Sequence, residues 1–304
     1  MAFRLRRGRA IGSELKQLYD AQLGAALESL AAAANCDMHA VRKHIKKARA
    51  LAYAATTAGA TVSGDAERAL KIANRSLGVL ADAHRIVEII ERLRGFDRAR
   101  LPDAMVDRIR GLLAARAANF DDIAARDGTR VKAARLVLFA KIASIGGRHA
   151  SLDGAALALV LRDAHHQARQ SRRVTRREPT VDAFHRWRRH VKREWYLFRL
   201  IADHTGDRLR DDRHRLAALD ACLGELHDLN VLAAILDEES ILSRRDTAAA
   251  LRTLRAATRD LRRRAELLSV VLNDHARDVS ARVEVLWGAA AAAPATEAAW
   301  PASA

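Results

Sequence analysis

One pattern recurs in this 304-residue chain at a fixed distance, and it constrains the fold more than any local signal. The run His39, Arg42, Lys43, His44, Ile45, Lys46, Lys47 and Arg49 returns 146 residues later as His185, Arg188, Arg189, His190, Val191, Lys192, Arg193 and Trp195. Leu77-Gly78-Val79-Leu80-Ala81-Asp82 returns, also 146 residues later, as Leu223-Gly224-Glu225-Leu226-His227-Asp228. Two separate matches at one spacing, with no net insertion between them, imply two copies of one structural unit.

Both copies have helical spacing. At about 100° per residue, Arg42, Lys43, Lys46, Lys47 and Arg49 fall within roughly 80° of His39, while Val41, Ile45, Ala48 and Ala52 fall opposite. In the second copy His185, Arg188, Arg189, Lys192, Arg193 and Arg199 share one face, and Trp187, Val191 and Phe198 the other. The rest of the chain is rich in Ala, Leu and Arg and has only four prolines, Pro102, Pro179, Pro294 and Pro301, which predicts an all-α protein. Turn-like residues are expected near 35–37, 61–65, 95–102, 127–128, 146–154, 178–182, 204–207 and 273–274, with a helix over 105–126. The expected organisation is two four-helix-type bundles related by a pseudo-twofold axis, residues 1–150 and 151–287, followed by a mobile Ala/Pro-rich tail over 288–304.

Charge narrows the function classes. Lys and Arg number 53 against 37 Asp and Glu, a net charge of +16, which calls for a polyanionic partner. Nucleic acid, an anionic membrane and polyphosphate all satisfy that balance. The two cysteines, Cys36 and Cys222, form no CxxC, so neither a disulfide framework nor a cysteine zinc site is expected. No apolar run has the length of a membrane span, and a cytoplasmic protein is expected. Like charges at i,i+4, such as Arg42 with Lys46 and Arg188 with Lys192, cost an isolated helix a few tenths of a kcal/mol each. No carboxylate lies between His39 and Tyr53, and only Glu194 lies in the second helix, on its apolar side. The cationic faces are therefore expected to lack acidic neighbours and to be relieved by a bound anion. His39 and His185, near an unperturbed pKa, are expected to be partly protonated and to donate to phosphate oxygens.

These residues resemble the conserved-histidine α-helical domain, the CHAD family. The resemblance rests on His39 to Arg49, on His185 to Tyr196, on Leu223 to Leu232 and on Phe3-Arg4-Leu5-Arg6-Arg7-Gly8, and spans roughly residues 3–287. It implies a two-bundle helical fold, inorganic polyphosphate as ligand, association with polyphosphate granules and their proteins, and no catalysis or cofactor. Carried over by position, the implied phosphate-binding set is His39, Arg42, Lys43, Lys46, Lys47, Arg49, His185, Arg188, Arg189, Lys192 and Arg193, with Arg199 on the same face and His227 from the Leu-Gly motif. Two positions depart from the pattern. Ala81 stands where the family has a basic residue, and Trp195 stands opposite Arg49, so the halves are expected to bind unequally. Asp82 and Asp228 are read as structural carboxylates that orient Arg or His side chains.

Three other readings compete. Single-strand nucleic-acid binders add aromatic stacking platforms, whereas aromatics are 4% here and Trp187 and Phe198 lie on the apolar side, which makes nucleic acid the second choice. His227-Asp228 also matches the dipeptide of metal-dependent HD phosphohydrolases. That chemistry needs more ligands, for which His204, His214 and Asp278 are candidates, and a dense cationic neighbourhood would repel the metal. Lipid binding is disfavoured because the basic helices bury their apolar faces and offer no wedge. His165-His166 with Arg169, Arg172, Arg173, Arg176 and Arg177 either extend the cationic surface or form a solvated helix end, the second being the expectation.

Overall fold

The computed structural model describes residues 2–32, 36–93, 102–143, 145–146, 152–238 and 242–292. The first half comprises α1 (Ile11–Ala31), α2 (Met38–Thr57), α3 (Gly64–Leu93), α4 (Asp103–Arg126) and α5 (Thr129–Ile142). The second comprises α6 (Gly154–Arg177), α7 (Val181–Leu200), the single turn α8 (Ala202–Thr205), α9 (Arg210–Glu238), α10 (Arg244–Leu268) and α11 (Ala276–Ala292). The protein is all-α apart from one short antiparallel pairing of Thr61–Val62 with Ile145–Gly146, the only β structure among the described residues. Helices α3 and α9, which carry the two Leu-Gly motifs, begin 146 residues apart, at Gly64 and Arg210.

Local chemistry accounts for the boundaries. Asp37 caps α2 by accepting from the backbone N–H groups of His39 and Ala40, and Thr180 caps α7 by accepting from that of Ala183. Pro102 stands at the N-cap of α4 and Pro179 just ahead of α7, where a missing N–H costs nothing. Gly128, at φ 60°, takes the left-handed turn that separates α4 from α5. The expected helix over 105–126 is present as α4. The expected tail is helical as far as Ala292, because α11 runs on through its Ala-rich end, and residues 293–304 lie outside those described.

The halves share one continuous apolar core. Leu15, Leu23, Val41, Ile45, Leu70 and Leu77 from the first half join Leu161, Trp187, Val191, Leu216, Leu223 and Leu226 from the second in a single buried cluster. Polar ties cross the boundary as well. The Tyr53 hydroxyl donates to Asp163 at 2.5 Å, and the N–H of Leu5 donates to the carbonyl of Leu200 at 2.7 Å. The chain's first residues therefore lie on α7 of the other half, where Phe3 meets Tyr196 edge-on with ring centroids 5.7 Å apart. None of the described helices is long and apolar enough to cross a membrane.

Candidate functional site

The two basic helices expose their charges because their opposite faces are fully committed to the core. Val41, Ile45 and Ala48 of α2 and Trp187 and Val191 of α7 have no exposed surface. What lies beside the cations comes from α3 and α9. The guanidinium of Arg42 lies over Gly78, with Nη2 3.4 Å from where a Cβ would stand, and that of Arg188 lies over Gly224 in the same way at 3.3 Å. Arg188 and Gly224 follow Arg42 and Gly78 by 146 residues each, so the Leu-Gly motif makes room for the arginine of the basic helix in both halves.

The carboxylates of the motif hold arginines, as their sequence positions suggested. Asp82 accepts from Arg42 Nη1 at 2.6 Å, and Asp228 accepts from Arg85 Nε at 2.6 Å. The second pair spans the halves, and Arg85 also lies close enough to His39 to depress its protonation. Sequence reasoning missed Arg85, whose counterpart 146 residues on is Val231. Its only sequence signal is position, one helical turn beyond Asp82 on the same face.

Helices α2 and α7 bring their cations together. Lys46 is half-buried, and its ammonium is pushed down to about 7, first by burial and then by Arg42, Arg188 and Lys192, with Asp82 opposing. Arg49 is lowered by burial, with Arg193 and Arg189 adding to the effect and Glu67 opposing it. Lys47 is lowered by burial, then by Arg199 and Lys43. Arg193 stacks on the Tyr53 ring at 4.3 Å and Arg199 on Trp195 at 5.0 Å, so cations of the second half rest on aromatics of either half.

Two expectations require correction. The cationic faces do have acidic neighbours, supplied by other helices. Asp82 pairs with Arg42, Glu67 approaches Arg49 at 3.9 Å, and Asp220 holds Lys192 at 2.7 Å. Among the described residues Lys43, Lys46, Lys47, Arg188, Arg189 and Arg199 have no such carboxylate, so a positive excess remains. His39 and His185, in turn, are held below the ordinary histidine pKa instead of near it. His185 and His227 stack with centroids 4.9 Å apart, and each is pushed down to about 4 by burial and then by its charged surroundings, chiefly His227 for His185 and Arg188 for His227. His39 is lowered by burial and then by Arg85 and Lys46.

Of the basic stretch of α6, His166, Arg173, Arg176 and Arg177 are exposed, as a solvated helix end requires, while two other members are held by neighbours. His165 is buried, with Nδ1 2.7 Å from Glu194 of α7, and Arg172 donates to Asn273 at 2.7 Å. The HD-type residues do not converge. Asp228 is taken by Arg85, and His204 stacks on Trp287 with centroids 3.7 Å apart. Among the described residues no three His, Cys, Asp or Glu side chains are grouped to hold a metal ion.

Against this geometry, comparisons with known proteins agree on one family. No curated protein matches the sequence. A solved structure, the CHAD domain from the plant Ricinus communis, matches with a TM-score of 0.53 at 15% identity, covering 93% of this chain and 95% of that one, which establishes a shared fold. The family model for the CHAD domain matches residues 14–237, most of the chain and both basic helices, and the chain belongs to the CHAD family.

Proposed function

We propose that the cationic faces of α2 and α7 together bind inorganic polyphosphate, and that the protein acts as a non-catalytic binder associated with polyphosphate granules. One observation carries the reading: Lys46 of α2 sits among Arg188 and Lys192 of α7, half-buried and short of counter-charge. Crowding cations in a partly desolvated place costs free energy in the free protein, and an anion of high linear charge density offsets that cost. The mixture of Arg forks and Lys point charges along both helices suits a flexible phosphate chain better than one fixed phosphate group. His185 and His227, neutral in the free protein, offer N–H groups to phosphate oxygens.

Nucleic acid fits the same charge but not the aromatics. Trp187, Tyr196 and Phe198 are buried, and Lys192 and Arg199 lie over the half-buried Trp195, which leaves bases little to stack on. Competition titration tests the reading. Labelled long-chain polyphosphate is expected to resist displacement by DNA or RNA at matched phosphate concentration and salt, and ready displacement by either overturns it.

A further inference from the structure

We infer that the outer face of α5 docks on an anionic lipid bilayer. The helix is apolar on two opposite sides. Ala133, Val137 and Ala140 are buried against the core, and Tyr19 donates to the carbonyl of Ala140. Turning about 100° per residue, Val131, Lys132, Arg135, Leu138, Phe139 and Ile142 all fall within one arc of roughly 120° facing away from that core. The four apolar side chains in the arc are exposed, Leu138 by 47%, Phe139 by 48%, Val131 by 58% and Ile142 by 77%. Four exposed large apolar side chains on one 14-residue helix are not the scattered single residues that a soluble surface ordinarily carries.

The charges select the occupant. Helix α5 carries no Asp or Glu, and Lys132 and Arg135 stand exposed within the apolar arc. The nearest carboxylate in sequence is Asp127, one turn before Val131. A second copy placed face to face would oppose Lys132 and Arg135 with their own kind. Ile142 is its most exposed apolar residue and stands at the end of the helix away from the cavity that Val131 lines with Asp121 and Asp122. A bilayer interface with anionic headgroups accepts protruding apolar side chains and a cationic rim together. The disfavour for lipid drawn from the basic helices does not reach α5, which supplies the wedge those helices lack.

Co-sedimentation of the full chain with vesicles of equimolar phosphatidylcholine and phosphatidylglycerol, against phosphatidylcholine alone, tests the assignment. Binding to the mixed vesicles only is expected. The pair Leu138→Ser with Ile142→Ser is expected to weaken it about tenfold or more, with the melting temperature followed in parallel. Arg135→Glu, which removes no large apolar side chain, is expected to weaken it severalfold. The pair Arg42→Glu with Lys46→Glu is expected to leave it intact while weakening polyphosphate binding by roughly a hundredfold, so the two sites fail separately. The inference is overturned by absence of binding, by equal binding to both vesicles, or by indifference to the α5 variants. It is equally overturned if light scattering finds a dimer that the α5 variants dissolve, which would place a second copy on this face.

Discussion

The guanidinium of Arg188 lies so close over Gly224 that a Cβ there would stand 3.3 Å from Nη2, and Arg42 repeats the arrangement over Gly78. Each glycine is therefore a helix-interior residue kept small for the sake of a neighbouring cation. Alanine at either position is expected to raise helix stability, by up to about 1 kcal/mol, since the guanidinium is flexible enough to give way. Polyphosphate affinity is expected to fall severalfold as that guanidinium shifts. Thermal melts and binding titrations of Gly78→Ala and Gly224→Ala read both effects, and unchanged affinity would separate these arginines from the ligand.

Charge reversal distinguishes a site from diffuse attraction. Arg42→Glu with Lys46→Glu is expected to weaken polyphosphate binding by roughly a hundredfold or more, the order of two lost charge-assisted contacts. The exposed pair Arg259→Glu with Arg264→Glu changes net charge equally and serves as control, with an expected loss of a few-fold. Comparable losses would indicate that net charge alone is at work.

Binding is expected to take up protons. The Lys46 ammonium, near 7 in the free protein, rises when phosphate arrives, so affinity is greatest below pH 7 and declines as pH climbs above it. Calorimetry at pH 8 in two buffers of different ionisation enthalpy should report net uptake. Lys46→Arg should abolish that uptake while retaining binding, and uptake that survives the substitution assigns the proton elsewhere.

Acid should destabilise the free protein. His185 and His227 sit near 4 when folded against about 6.5 unfolded, so the unfolded chain binds more protons between those values. Their contribution is complete above about pH 6.5 and is lost as pH falls towards 4. Melting temperatures measured across this range should decline, the decline should flatten in His185→Gln with His227→Gln, and polyphosphate should oppose it in the parent protein.

Arg85 is expected to matter for stability. The Asp228 side chain it holds is only 8% exposed, and Arg85→Ala would leave that carboxylate without its partner at a cost of about 2 kcal/mol. Denaturant titration of Arg85→Ala, with Asp228→Asn added to relieve the orphaned charge, should show loss and partial recovery.

What could be seen in the sequence divides along physical lines. The all-helical fold, the α4 span and the apolar sides of α2 and α7 were legible because helical periodicity writes itself into neighbouring positions. The orienting role of Asp82 was legible through its repeated motif. Glu67, Asp220 and Arg85 were not, because they meet α2, α7 and α9 only through tertiary packing and share no local pattern with their partners. The histidines were misjudged for the same reason. Their depressed protonation comes from burial and from cations on other helices, whereas sequence shows only an isolated imidazole. Gly288 to Ala292 were read as tail because the stretch lacks periodicity, yet alanine needs no amphipathic face to remain helical.

The opening residues carry a mechanical consequence. Lys47 of α2 stands over the Phe3 ring at 5.4 Å, Phe3 rests against Tyr196 of α7, and the adjoining strand of backbone is tied at Leu5 to Leu200. The chain thus begins by reaching across to the far lobe, as a buckle closes a strap. Any scissoring of the two charged helices must first undo that clasp, which ties the spacing of their cations to the packing of the opening residues.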